Sequence, residues 1–359
     1  MCAAALVLAA TPLGASLPTD VAEPAPAATA VEAVLPHASY RASDSLGHRP
    51  DADPDVQAKL EALAYPLESF DVDIHLPGDD ELGDFAARVS FPSPRPADHP
   101  SLRRAVMLWY PAAGLGIDGQ QGEAPAVLVI HTLHPQMIIG KAIARGLAHQ
   151  GIHAFLLQMP GYGDRGVPAQ RASYTLLKHA AQAATDVRRA RDAVAVMPGV
   201  SAGPVALQGT SLGGFVATVG ASMDNAFDPV LLMISGADGY SVLENGQQDA
   251  AWLRQQLAEA GYSGQALRDM LDPVEPALLA HRLDPERTWL FTARSDKVVP
   301  KANSDLLASV IGLTGEHHLQ LPGDHYTVMF HLPALVTRMQ QIINDNHAAD
   351  ALADHGDGQ

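Results

Sequence analysis

From about residue 63 onward, the apolar positions of the chain fall into two kinds of segment that alternate. Short continuous apolar runs, such as PAVLVIH at 125–131, are typical of strands that are buried on both faces. Longer stretches, such as MIIGKAIARGLAHQG at 137–151, have helical spacing and end at a glycine. The same pairing of strand and helix recurs at 152–198, 204–223 and 288–312. This alternation predicts an α/β fold, with a mostly parallel sheet and helices on both faces.

Two further patterns complete the predicted domain, which spans residues 63–348. Strand-like runs at 70–77, 84–91 and 104–112 precede the regular alternation. A longer insertion at 239–286 precedes the strand TWLFTARS and contains an amphipathic stretch, AAWLRQQLAEAG. The pattern leaves two interpretations of this insertion open: an extra packing helix, or a lid over a pocket.

The two ends of the chain lack this alternation. Residues 1–62 are predicted to be a signal peptide followed by a flexible Ala/Pro-rich tail, although no Lys or Arg precedes Arg41 as a signal peptide would require. The localisation that follows is secreted or periplasmic, with cytoplasmic as the alternative. Residues 349–359 are predicted to be a flexible acidic tail.

Composition and charge exclude several classes of function. The chain has 359 residues, 47% of them hydrophobic, and a formal net charge of −17. Such an acidic chain is not predicted to bind nucleic acid, because that affinity comes largely from Lys and Arg on phosphates. The single cysteine, Cys2, excludes an internal disulfide framework and a Cys-rich metal site. After the N-terminal stretch, no run reaches the roughly 18 apolar residues of a membrane span, so no stable membrane insertion is predicted.

One short motif, GTSLG at 209–213, indicates catalytic chemistry. It lies where the buried run PVALQ is expected to turn into the helix LGGFVATVG. A serine in such a sharp turn, here Ser211, has its hydroxyl exposed, and Gly209 and Gly213 avoid a collision between strand and helix. Leu212 begins the helix, so its N–H is predicted to face a developing oxyanion.

A serine hydroxyl is a weak nucleophile and needs a base, which in turn needs an orienting carboxylate. In this arrangement the acid and then the histidine follow the serine along the chain. Asp296 comes directly after an apolar strand, and His325 lies in a turn formed by PGD. Asp238, which follows the preceding strand, is the alternative acid. Minor candidates that are less well placed are His317, His318, His331 and, as an acid, Asp324.

Two other motifs are better explained without a ligand. His131 and His134 are three residues apart but straddle a strand end and a loop, with no carboxylate motif nearby, so no metal site is predicted. The segment GYGDRG at 161–166 has the spacing of a phosphate loop, but Val-Pro follows it where a helix should begin. It is interpreted as a turn that lines the pocket, and no cofactor is predicted.

Taken together, these motifs resemble the α/β-hydrolase superfamily, in particular its esterase and dienelactone-hydrolase-like members. The resemblance covers roughly residues 85–342 and therefore implies that the domain at 63–348 has the α/β-hydrolase fold. It rests on VLVIHTLH, MPGYGDRG, DVRRARDAVAVMPGV, VALQGTSLGG, ARSDKVVP and PGDHYTVM. Only GTSLGG is specific when taken alone.

The resemblance assigns a role to each matching position. Ser211 is similar to the nucleophile, His325 to the base, Asp296 to the acid, and Leu212 to one oxyanion-hole donor. The second donor would follow His131, where many members have His-Gly and this chain has His-Thr-Leu. Leu133 is the predicted second donor, with Thr132 as the reserve.

The function expected from these residues is two-step acyl transfer to water, cleaving a carboxylic ester of a small-molecule substrate without a cofactor. Thioester hydrolysis and acyl transfer to an alcohol are alternatives on the same fold. A non-catalytic binding protein is a further alternative from another class. The sequence gives no indication of the oligomeric state.

Overall fold

The computed structural model describes residues 37–78 and 84–356. Ten strands form one sheet: β1 (Ala38–Ser43), β2 (Ser69–His75), β3 (Ala87–Pro92), β4 (Arg104–Tyr110), β5 (Ala124–Ile130), β6 (His153–Gln158), β7 (Val200–Thr210), β8 (Val230–Met233), β9 (Thr288–Ala293) and β10 (His318–Leu321). Eleven α-helices accompany them in the described residues: α1 (Pro54–Leu63), α2 (Ile138–His149), α3 (Ala172–Lys178), α4 (Ala180–Ala195), α5 (Leu212–Ser222), α6 (Gly239–Asn245), α7 (Asp249–Glu259), α8 (Gly264–Leu271), α9 (Pro276–Leu279), α10 (Lys301–Ile311) and α11 (Leu332–Gly356).

The strand order is β1-β2-β3-β4-β6-β5-β7-β8-β9-β10, and the six strands from β6 to β10 in this order run parallel. Helices α2 and α11 pack together on one face, and α4 and α5 pack together on the other. The predicted α/β architecture is therefore confirmed. Because β5 is flanked by β6 and β7, the order reverses there, and the carboxyl ends of β5 and β7 form the switch point where open α/β sheets bind ligands.

The N-terminal part of the domain is larger than the sequence indicates. Of the tail predicted at 1–62, residues 1–36 lie outside the described residues, but β1 and α1 occupy much of the rest, so a flexible tail to residue 62 is wrong. β1 pairs with β2 along its whole length. The Asp44 carboxylate forms a buried ion pair with Arg189 at 2.5 Å, and Val56 and Leu63 are buried in an apolar cluster that includes Val219 of α5. These contacts are long-range in sequence, so local composition does not indicate them.

The C-terminal end also differs from the prediction. α11 continues to Gly356, so most of the tail predicted at 349–359 is helical backbone. The segment is rich in alanine, which has the highest helix propensity of the residues, and it extends an existing helix without a new nucleus.

The insertion at 239–286 holds four helices, α6 to α9, rather than one packing helix. Its apolar side chains form a cluster with α3 of the main domain, and the buried members are Leu177, Leu243, Leu253, Leu257 and Leu267. The insertion is thus packed against the domain near the carboxyl end of β7.

Charged residues of α4 form buried ion pairs with residues of neighbouring segments. Arg188 pairs with Asp224 at 2.7 Å, and Asp186 pairs with Arg165 at 2.7 Å, with all four side chains buried. Removing either partner of such a pair is destabilising, because a lone buried charge is costly. The DVRRARD motif is therefore explained by packing.

Among the helices of the described residues, none has the length and apolar character needed to cross a bilayer.

Candidate active site

Ser211 lies at the junction of β7 and α5 and has φ +52° and ψ −123°. Non-glycine residues rarely adopt this conformation, which the surrounding strand and helix impose. A Cβ atom on Gly213 would lie 2.3 Å from the His131 carbonyl oxygen, and one on Gly209 would lie 2.7 Å from Ala217 Cβ. Both glycines are therefore required by the close approach of β5, β7 and α5, as the sequence predicted.

The structure brings together the three residues predicted to act on the substrate. Ser211 Oγ lies 3.1 Å from His325 Nε2, and His325 Nδ1 lies 2.7 Å from Asp296 Oδ2. The other Asp296 oxygen, Oδ1, accepts the N–H groups of Val298 and Val299, both at 2.9 Å. All three side chains are largely shielded from solvent. Because Oδ1 is held by the backbone, Oδ2 stays directed at the imidazole.

The alternative acid, Asp238, has another role. It caps the start of α6, where its side chain accepts the Ser241 N–H at 2.9 Å. Asp324 lies next to His325 in sequence, but its carboxylate accepts the N–H groups of Tyr326 and Thr327. Neither carboxylate is bonded to the imidazole.

The minor histidine candidates lie away from Ser211. His317 Nδ1 is 3.0 Å from the Thr288 carbonyl oxygen, and His318 Nε2 is 3.1 Å from Thr292 Oγ1. His331 ends a 3-10 turn before α11. The structure therefore places one histidine, His325, against the serine.

Two backbone segments provide candidate oxyanion donors. Leu212 is the first residue of α5, and the first N–H groups of a helix have no partner within it. Within the described part of the chain, the N–H groups of Leu133 and Thr132 also have no backbone acceptor. The Leu133 carbonyl oxygen accepts the Tyr162 hydroxyl at 3.0 Å, which holds the loop after β5 in place. The predicted donors are thus on adjacent strand ends, β5 and β7.

His131 shapes this loop. Its Nδ1 lies 2.7 Å from the Thr132 carbonyl oxygen, and its Nε2 accepts the Met159 N–H at 3.2 Å. Both ring nitrogens are therefore occupied by backbone groups, which leaves no free nitrogen for a metal. In the described ranges, no group of three metal-ligating side chains occurs.

We expect protonation of His131 to lower the stability of the folded protein. Burial lowers the pKa of His131 from 6.5 to about 4. Because the folded chain prefers the neutral ring, stability is lost as the pH falls from 6.5 towards 4, and the full loss is roughly 3 kcal/mol. We expect the free energy of unfolding in urea to fall more steeply between pH 7 and pH 4.5 in the wild type than in His131→Asn. Equal falls in both chains would show that another group is responsible.

Sequence reasoning missed the support that surrounds this loop. Tyr162 packs its ring edge against His131, with ring centres 4.5 Å apart. The GYGDRG segment is predicted to line the pocket, and its Arg165 guanidinium is buried and donates to the Gln158 carbonyl oxygen and to Asp186. The turn therefore buttresses the loop after β5. A tyrosine followed by an arginine carries no sequence signal for this role.

Tyr326 is a second missed residue. Its ring meets that of His325 at 81°, with centres 5.7 Å apart. Burial and the nearby Asp249 carboxylate raise the pKa of its hydroxyl. Because Asp249 begins α7, this contact joins the histidine loop to the insertion, a link between positions far apart in sequence.

Comparisons with known proteins identify the fold. No family model matches the sequence, and no curated protein is significantly similar to it. Acetyl xylan esterase 1 from Thermoanaerobacterium sp. JW/SL YS485 is similar in structure, with a TM-score of 0.54 and 14% identity over 83% of this chain and 96% of that one. Acetyl xylan esterase from Paenibacillus sp. R4 has a TM-score of 0.53 and 17% identity over 82% and 96%. The alpha/beta hydrolase GrgF from Penicillium sp. sh18 has a TM-score of 0.51 and 17% identity over 68% and 95%. At these identities the likeness establishes a shared fold.

Proposed function

We propose that this chain, which has the α/β-hydrolase fold, is a serine hydrolase that cleaves a carboxylic ester through a covalent acyl-enzyme. The observation that carries the proposal is the continuous chain of contacts from Ser211 Oγ through His325 to Asp296, at 3.1 and 2.7 Å. Hydrogen-bonded groups in this order activate a hydroxyl as a nucleophile. The solved structures described as acetyl xylan esterases share the fold and support an ester as the substrate.

The first step is acylation. His325 Nε2 takes the proton of Ser211 as Oγ attacks the ester carbonyl carbon, and the Asp296 carboxylate stabilises the imidazolium that forms. The N–H groups of Leu212 and Leu133 hold the resulting oxyanion. His325 then gives its proton to the departing alcohol, and an acyl group remains on Ser211.

The second step is deacylation. Water attacks the acyl carbon while His325 takes its proton, the same N–H groups hold the second oxyanion, and Ser211 is released with its proton restored. The products are a carboxylic acid and an alcohol. Apart from the ester and water, each step uses only side chains and backbone groups of this chain, so the mechanism requires no cofactor.

The proposal is tested by mixing the wild type with p-nitrophenyl butanoate and following nitrophenol release from the first milliseconds. We expect sustained turnover, with an initial burst of up to about one nitrophenol per chain if deacylation is the slower step. A butanoyl thioester run in parallel distinguishes thioester specificity, and added alcohol distinguishes acyl transfer by yielding a new ester. A folded chain that hydrolyses none of these substrates would favour the non-catalytic alternative.

A further inference from the structure

An apolar cavity of about 90 Å³ is lined in part by Leu212, the residue that follows the candidate nucleophile. Leu212 and Phe215 of α5 form one side, Leu177 of α3 another, and Val242 and Leu253 of the insertion close it. Its lining is almost wholly carbon. The function described above assigns no role to it.

One wall of this cavity contains a carboxylate, that of Glu275, but its oxygens accept hydrogen bonds from backbone N–H groups of the protein. Glu275 accepts the N–H groups of Asp238, Gly239 and Ala277 at 2.7, 2.8 and 2.9 Å. These bonds tie the turn after β8 to the start of α9. The carboxylate therefore holds the wall together rather than offering a charge to a ligand, and the cavity suits an uncharged, apolar group.

Leu212 connects the cavity to the proposed chemistry. Its N–H is a donor for the oxyanion, and it also lines the cavity. An acyl carbon bonded to Ser211 Oγ, with its oxygen at the Leu212 N–H, is therefore adjacent to a residue that lines the cavity. The imidazole of His325, which must protonate the leaving alcohol, defines the other side of the reacting carbon.

We propose that this cavity binds the acyl chain of the substrate and selects short, straight, apolar acyl groups of about four to five carbons, an inference that rests on the proposed ester hydrolysis. An apolar cavity of about 150 Å³ holds benzene, with six carbons, so about 90 Å³ holds roughly three to four. The carbonyl carbon lies outside, at Ser211. An acetyl group leaves the cavity empty, and an octanoyl group is too long for it.

Each methylene group that fits the cavity is expected to raise kcat/KM about fourfold. Burial of the methylene group strengthens binding of the transition state by that factor. From acetyl to butanoyl, two methylenes give a rise of about 15-fold. Beyond pentanoyl, kcat/KM is expected to fall, because the chain meets the side of the cavity that Val242 and Leu253 of the insertion close.

Leu253 and Leu257 form a matched pair for testing this inference. Both lie on α7 and in the same apolar cluster, but Leu253 lines the cavity and Leu257 does not. Leu253→Ala is expected to enlarge the cavity and move the preferred acyl chain two or more carbons longer. Leu257→Ala removes the same atoms from the same cluster and is expected to leave the preferred length unchanged.

A filling variant gives the opposite change. Ala180, at the start of α4, also lines the cavity. Ala180→Leu adds three carbons to the wall and is expected to shift the preference towards acetyl. This variant keeps the inference testable if Leu253→Ala fails to fold, and circular dichroism of each purified chain checks the fold.

The experiment measures kcat/KM for p-nitrophenyl esters with two, four, six and eight acyl carbons on the wild type and the three variants. The inference predicts a wild-type maximum at four carbons, moved longer in Leu253→Ala, shorter in Ala180→Leu, and unmoved in Leu257→Ala. A wild-type maximum at two, six or eight carbons, or a profile that neither cavity variant moves, overturns it while leaving ester hydrolysis standing. Absence of turnover of every ester by the folded wild type overturns the proposed function itself.

Discussion

Asp296→Asn is expected to lower kcat for p-nitrophenyl butanoate about 10⁴-fold. The amide oxygen can still accept the N–H groups of Val298 and Val299, so the side chain keeps its position. Its NH₂ group then faces His325 Nδ1 and donates a hydrogen bond to it. Nδ1 must therefore be unprotonated, and the ring proton lies on Nε2. An imidazole in that tautomer cannot take the proton of Ser211. The loss therefore arises from the wrong tautomer in an otherwise intact site.

Asp238→Asn is the matched control for this variant. The change removes the same charge from the other acid that follows a buried strand, and the amide oxygen can still cap α6 by accepting the Ser241 N–H. We expect its kcat to stay within a few-fold of the wild type. If Asp238→Asn proved the more damaging of the two, the assignment of the acid would be wrong.

The buried parallel strands were predictable from the sequence for a physical reason. A strand covered on both faces must be apolar along its length, so PAVLVIH marks β5 and TWLFTA marks β9 without ambiguity. GTSLG marks the turn after β7, because only glycine tolerates the approach that Gly213 makes to β5. These signals are local, and they were sufficient to give the fold class.

Elements stabilised by distant contacts were not predictable in this way. β1 is an edge strand with mostly polar or small residues, ASYRAS, and its place depends on β2 and on the pairing of Asp44 with Arg189, 145 positions away. Flexibility was the reasonable prediction from composition. The helices of the insertion are held by an apolar cluster that includes α3, again a long-range contact.

The candidate site was likewise predictable from the sequence only in part. Residue type and position after a strand identified Ser211, His325 and two possible acids. The choice between Asp296 and Asp238 depends on where each carboxylate points, and only the three-dimensional arrangement shows that one meets His325 and the other caps α6. The support that Tyr162 gives to the Leu133 carbonyl is likewise a matter of geometry.

Ser211→Ala is expected to have a still larger effect, a fall in kcat of about 10⁶-fold. The change removes one oxygen atom and retains the Cβ that the turn already accommodates at φ +52°. The fold and the position of His325 should therefore be kept, and the loss should reflect the missing nucleophile alone. Urea unfolding of the variant beside the wild type checks that stability is preserved.

The central claim is that Ser211 is a nucleophile activated by His325, and covalent labelling tests it most directly. The wild type and Ser211→Ala are each incubated with a fluorophosphonate, and the adduct is located by intact mass and peptide mass spectrometry. The account predicts one phosphonyl group per wild-type chain, on Ser211, and none on the variant. A folded wild type that takes up no label, or an adduct that persists in Ser211→Ala, would contradict it.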